Sequence, residues 1–168
     1  LVAAHLEVPA PAGVVVERVG TARELEASLR AHAASHDTMI MAAAVADFRP
    51  RAVAEEKIKK DASEGGLSLE LERTPDIIAG LSEHRAPGQR IVGFAAETAS
   101  HEDALLALGA AKARRKGVDL LVLNRVGWTE GFGTEDNAVI VLDATGVELA
   151  RVAGDKLSVA HRILDVIP

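Results

Sequence analysis

The stretch GVVVERVGTARELEASLRAHAASHDTMIMAAAV, residues 13–45, decides the fold class. Its β-branched run Val14-Val15-Val16 reads as a strand over 13–19. Thr21 then stands three residues before Glu24, the spacing of a capping box, in which each side chain accepts a hydrogen bond from the other residue's backbone N–H. Leu25, Leu29 and Ala33 continue an apolar stripe at helical spacing to about His36. Residues 38–45 follow with almost no polar side chain, the pattern of a strand buried on both faces. Strand, helix and strand in this order form a β-α-β unit.

Upstream, residues 1–6 read as a short apolar strand ending near Glu7, and Pro9-Ala10-Pro11 breaks it. Downstream the periodic signal lapses over 47–66, with Gly65-Gly66 as a turn, before a short alternating strand over 67–71. Thr74-Pro75-Asp76 opens a helix through Ile77, Ile78 and Leu81, with proline at the first helical position, where its missing N–H costs nothing. A buried strand over 90–94 and an Ala/Leu-rich helix over 102–116 stopped by Gly117 come next. A strand over 118–123 ends at Asn124, and 127–136 is a loop. A hairpin of 138–142 and 147–151 turns at Ala144-Thr145-Gly146, and a closing helix spans 158–167. The expected fold is α/β: a Rossmann-like, mostly parallel sheet with helices on both faces and a late antiparallel hairpin.

With 168 residues and 48% hydrophobic content, the chain suits one well-buried domain. Its formal net charge of -6 supplies no broad footprint for nucleic acid and no polybasic face for a membrane. No apolar run approaches the ~20 residues that span a bilayer, and the start lacks a basic n-region and cleavage site. There is no cysteine, hence no disulfide framework, thiolate metal site or cysteine nucleophile. These features fit the cytoplasm, which is the expected location.

Ligands collect at the carboxyl ends of parallel strands, which directs attention to Ala46-Asp47-Phe48, to Phe94-Ala95-Ala96-Glu97-Thr98 and to Asn124. Small residues before Asp47 let a planar ligand approach backbone while the carboxylate reaches a ribose hydroxyl; the alternative is a solvated or capping aspartate. Glu56-Lys57-Ile58-Lys59-Lys60 sets three ammonium groups within an otherwise acidic chain. It is either a solvated face or a flap that neutralises phosphate charge. Lys112 and Lys116 share a helix face beside Arg114 and Arg115, where the helix dipole already favours cations. Phe94 and Phe132 either wall a base pocket or fill core. The histidines at 5, 32, 36, 84, 101 and 161 lack metal-binding spacing and read as surface residues; His32 and His36, one turn apart, have no third ligand nearby. Neither a dinucleotide glycine fingerprint nor a Walker loop is present.

In order, Ala43-Ala44-Val45-Ala46-Asp47-Phe48-Arg49-Pro50, Lys57-Ile58-Lys59-Lys60, Thr74-Pro75-Asp76-Ile77, Gly93-Phe94-Ala95-Ala96-Glu97-Thr98, Lys112 with Lys116, and Asp136-Asn137 resemble the phosphopantothenoylcysteine synthetase domain. In many bacteria that domain is the C-terminal half of a bifunctional flavoprotein. The resemblance implies a homodimeric ligase that joins 4'-phosphopantothenate and L-cysteine in coenzyme A biosynthesis. It uses CTP with Mg2+, through an acyl-cytidylate, and releases pyrophosphate and CMP. FMN enters only if a decarboxylase is fused upstream. On matching positions, Met41, Ala42 and Ala43 line the nucleotide with backbone and Asp47 contacts it. Lys57 is the catalytic lysine of a mobile flap, which in the family can reach across the dimer. Arg73, Thr74, Pro75 and Phe94 complete the cytosine side, and Lys112 and Lys116 bind the nucleotide farther along. No metal ligands are assigned.

The family's domain normally opens with a further strand, a Gly-Gly-Thr turn and an asparagine-containing Ser-Ser-Gly segment. Residues 1–168 start after these, so the expectation is a ligase domain lacking them, with little activity alone. Two alternatives remain: a Rossmann-like nicotinamide-dependent oxidoreductase, and a non-catalytic dimerisation or nucleotide-sensing module.

Overall fold

A computed structural model describes residues 1–6, 8–58, 66–126 and 136–168. The expectations for Glu7, Lys59, Lys60, Gly65, Phe132 and the loop before Asp136 lie outside the described residues. In chain order the elements are β1 (Val2–Ala4), β2 (Glu17–Val19), α1 (Ala22–Ala33), β3 (Thr38–Met41), β4 (Phe48–Pro50), β5 (Leu71–Arg73), α2 (Ile77–Glu83), β6 (Arg90–Glu97), α3 (Glu102–Lys116), β7 (Leu120–Arg125), β8 (Asp136–Asp143), β9 (Glu148–Asp155) and α4 (Lys156–Val166). They form two compact units, Leu1–Ala43 with Ile77–Pro168, and Ala44–Asp76.

The larger unit carries a five-stranded sheet of order β3-β6-β7-β8-β9. The first three strands are mutually parallel, and β8 and β9 add the antiparallel hairpin. Consecutive residues Ile91 and Val92, Leu121 and Val122, and Val141 and Leu142 are all at most 1% exposed, so both faces of the central strands are covered. On one face Val92, Leu120, Val122, Val139 and Val141 pack with Val159 and Ile163 of α4. On the other, Leu123 and Leu142 press on Gly109 of α3, where an added Cβ would lie 2.7 Å from a methyl of each. Helices on both faces and the late hairpin agree with the sequence reading.

Local signals explain the helix ends. Thr21 Oγ1 accepts from the Glu24 N–H at 3.2 Å, and Glu24 Oε2 accepts from the N–H groups of Thr21 and Gly20 at 3.0 and 2.7 Å, completing the capping box. Gly117 closes α3 in the left-handed conformation, φ 66°. Asp155 caps α4: its carboxylate accepts from the N–H groups of Leu157 and Ser158 and from the Ser158 hydroxyl. Those bonds, the Ser158 hydroxyl first, hold its pKa below the usual aspartate value. In the β8–β9 turn, Asp143 Oδ1 accepts from the Thr145 N–H, the Thr145 hydroxyl and the Val147 N–H.

Several boundaries differ from expectation, and strand pairing accounts for most of them. β3 ends at Met41, not at residue 45: it pairs only with β6, the register stops at Met41↔Gly93, and the alanines that follow have low strand preference. As an edge strand it is also less buried than expected, with Ile40 44% exposed. Val14, Val15 and Val16 lie outside β2, because only Glu17–Val19 finds a neighbour, and that neighbour is β1. The β-α-β order is therefore present, but β2 and β3 belong to different sheets. β6 continues three residues past Phe94 because β7 pairs with Ala95, Ala96 and Glu97. α2 begins at Ile77, leaving Pro75 ahead of the helix; Thr74, just before it, spends its N–H on the Asp47 carbonyl at 2.8 Å.

In the smaller unit, β4 and β5 pair antiparallel in register Phe48↔Arg73, Arg49↔Glu72, Pro50↔Leu71. The strand expected over 67–71 is thus shifted to Leu71–Arg73, and its partner β4 lies where no periodic signal is read. Cross-strand pairing fixes the shift: Arg49 Nη2 lies 2.7 Å from Glu72 Oε1.

Gly146, at φ +91°, turns the β8–β9 hairpin so closely against α3 that an added Cβ would lie 2.9 Å from Ala110 Cα. Gly146→Ala is expected to cost about 2–4 kcal/mol, from a left-handed backbone at ~1–2 and overpacking at ~1–3. Thermal unfolding followed by circular dichroism tests it; a drop of about 4–15 °C is the expected result, and an unchanged midpoint would show that the turn relaxes freely.

Candidate functional site

In the larger unit, the C-terminal edge of the parallel strands is where an α/β sheet accepts ligands. Met41 ends β3 beside Gly93 of β6. Ala42 and Ala43 follow as exposed residues outside any strand, so their backbone is not committed to a ladder. Phe94, opposite Val122, is 38% exposed although its strand is central to the sheet. Alternation along β6 puts Phe94 on the face opposite Gly93, whose own face is closed by Ile78 of α2.

Glu97, the last residue of β6, shares the Gly93 face by the same alternation. Its carboxylate Oε1 forms a close ion pair with Lys112 Nζ of α3, and the two side chains are only 20% and 28% exposed. The Glu97 carbonyl accepts from the Val126 N–H at 3.0 Å. Lys116 lies one turn beyond Lys112 and is half-buried. Arg114 has a structural task, donating from Nη1 to the Thr145 carbonyl at 2.9 Å.

In the smaller unit, Asp47, Arg73 and Thr74 meet at the base of the β4–β5 pair. The Thr74 N–H donates to the Asp47 carbonyl, and Arg73 sits opposite Phe48. The Asp47 side chain is exposed, as are Pro75 and Lys57. Further along the ribbon, Arg51 Nη1 and Glu70 Oε2 are 3.4 Å apart, and the Arg51 N–H donates to the Glu70 carbonyl. The unit leaves Phe48, Val53, Ile58, Leu67, Leu69 and Leu71 exposed.

The expected site residues therefore form two groups. Met41, Ala42, Ala43, Phe94, Lys112 and Lys116 belong to the larger unit, and Asp47, Lys57, Arg73, Thr74 and Pro75 to the smaller. All six histidines are exposed, as expected, though His101 caps α3 by accepting from the Ala104 N–H and His32 lies 2.7 Å from Glu17. Among the described residues no group of three or more acidic or histidine side chains is arranged to hold a metal ion, and no step below runs through magnesium. No helix among them is long and apolar enough to cross a membrane. Sequence reasoning missed the Glu97–Lys112 pair. Its trace was a lone acid at the end of an apolar strand, followed by a lysine inside the next helix rather than in its last turn.

The family model described as the DNA/pantothenate metabolism flavoprotein C-terminal domain matches residues 1–168. The chain is 46% identical over 162 residues to the coenzyme A biosynthesis bifunctional protein CoaBC of Mycobacterium tuberculosis (strain ATCC 25618 / H37Rv), an overlap of 94% of this chain and 38% of that protein. It therefore spans well under half of that relative. The crystal structure of the C-terminal domain of a CoaBC protein superposes with a TM-score of 0.73 at 29% identity, covering 99% of this chain and 70% of that one. A Cab2 mutant in complex with phosphopantothenate-cysteine shares the fold, with a TM-score of 0.68 at 21% identity over 90% of this chain and 52% of that one.

Proposed function

The chain belongs to the DNA/pantothenate metabolism flavoprotein C-terminal domain family, and from that premise we propose that it is a phosphopantothenate-cysteine ligase domain of coenzyme A biosynthesis. The observation that carries this reading is the 46% identity to CoaBC across 94% of the chain. In the reaction, a carboxylate oxygen of 4'-phosphopantothenate attacks the α-phosphorus of CTP. The bond to the β-phosphate breaks, and pyrophosphate leaves with an acyl-cytidylate formed. The amine of L-cysteine then attacks the acyl carbon, CMP departs with the acyl oxygen, and the nitrogen loses a proton to solvent.

The protein's part is placement and charge. Met41, Ala42 and Ala43 offer backbone to the nucleotide. Asp47 accepts from a ribose hydroxyl. Arg73, Thr74, Pro75 and Phe94 flank the cytosine, and the ammonium groups of Lys112 and Lys116 meet phosphate oxygens. Lys57 neutralises charge as the α-phosphorus is attacked. A homodimer accompanies this reading. Leu67, Leu69 and Leu71, at alternate positions and each more than half exposed, give the smaller unit an apolar edge that a second copy would cover.

The test is pyrophosphate release by the full-length protein supplied with 4'-phosphopantothenate. Release that requires CTP, followed by CMP release on adding L-cysteine, is the expected result. Release indifferent to CTP, or hydride exchange with a nicotinamide cofactor in its place, would overturn the assignment.

A further inference from the structure

We propose that Glu97 is a positioning residue that holds the Lys112 ammonium in place for the nucleotide's phosphates. The proposal rests on the nucleotide role assigned to Lys112 above. Two observations carry it. First, the helix dipole, which the sequence reading extends to Lys112, acts chiefly on the last turn of α3, whose cations are Arg114, Arg115 and Lys116, and is weaker at Lys112 one turn earlier. Second, its partner is fixed from both sides. Glu97 is held by β-pairing opposite Arg125 and by the Val126 N–H on its carbonyl, and its side chain is only 20% exposed.

Stability is a weak reason for the pair, because charges taken this far out of water give back much of their attraction as desolvation cost. Its placement explains it better, since the strand end carrying Glu97 belongs to the edge where parallel sheets bind ligands. An ammonium has three N–H donors. Glu97 occupies one and leaves two directed by a rigid strand, so that binding no longer has to order a four-carbon side chain.

The test is a double-mutant cycle read by CTP titration and steady-state kinetics in the full-length protein, with melting curves for every variant. Glu97→Ala is expected to raise both Kd and KM for CTP about 3- to 10-fold with kcat within about twofold, the scale of ordering one flexible side chain. Glu97→Gln, which keeps an acceptor oxygen at the same reach, is expected to stay within about twofold of wild type. In a Lys112→Ala background, Glu97→Ala is expected to add nothing.

Equal losses in both backgrounds would mark a merely structural residue and overturn the proposal. So would tighter CTP binding by Glu97→Ala, the sign of a carboxylate that only competes with phosphate for the lysine. CTP binding by Lys112→Ala equal to wild type is a different failure: it removes the nucleotide role of Lys112 itself, and the role of Glu97 falls with it.

Discussion

Lys57→Gln is expected to slow CTP-dependent pyrophosphate release about a hundredfold or more while weakening CTP binding less than tenfold, the span seen when one preorganised charge is removed from a transition state. The asymmetry follows from where charge changes. In the proposed site the triphosphate's ground-state charge would be met by several groups, to which one exposed lysine would add modestly. As the carboxylate attacks, negative charge concentrates on the transferring and departing phosphate oxygens, and an ammonium brought there acts on the barrier. Glutamine keeps most of the reach and loses the charge. Lys57 is exposed, so the exchange leaves the fold undisturbed. Single-turnover kinetics with radiolabelled CTP separate the two effects, and unchanged turnover would remove Lys57 from the chemistry.

The chain's local rules were legible wherever a few neighbouring residues decide the outcome. Thr21 with Glu24, the helix Glu102–Lys116 with Gly117, and the turn at Asp143 to Val147 are settled by caps, a left-handed glycine and a side-chain acceptor within five residues. What the sequence did not disclose depends on distant partners. Val14-Val15-Val16 has every intrinsic mark of a strand, yet strand preference is realised only against a neighbour. The reverse holds for Phe48–Pro50, a strand containing proline, which exists because Leu71–Arg73 lies beside it.

The candidate site divides in the same way. The rule for parallel sheets pointed to the right strands but not to their ends: β3 stops at Met41, while β6 and β7 run on to Glu97 and Arg125, because pairing sets where each strand stops. Phe94 was not readable as an exposed residue, because burial inside a central strand depends on what covers that face. Glu97 was quoted within a motif but had no partner until α3 brought Lys112 to it.

Asp47→Asn carries the second large effect, an expected 10- to 100-fold loss of CTP affinity, the scale of a hydrogen bond to a charged acceptor. The variant suits the question because, among the described residues, the bond the fold takes from Asp47 is made by its backbone. Its carbonyl accepts the Thr74 N–H that anchors the base of the β4–β5 pair, and asparagine preserves that bond. The side chain is exposed. Asparagine also retains an acceptor oxygen, so the loss reads the carboxylate's charge against a ribose hydroxyl rather than shape. Calorimetric titration with CTP and with NAD distinguishes the outcomes. Wild-type protein is expected to bind CTP with little affinity for NAD, and Asp47→Asn to lose CTP with its melting temperature unchanged. CTP binding indifferent to the substitution would detach the Asp47 side chain from the nucleotide. That result would leave Lys57 to be judged by its own turnover test, because its proposed place is at the phosphates and that of Asp47 is at the ribose.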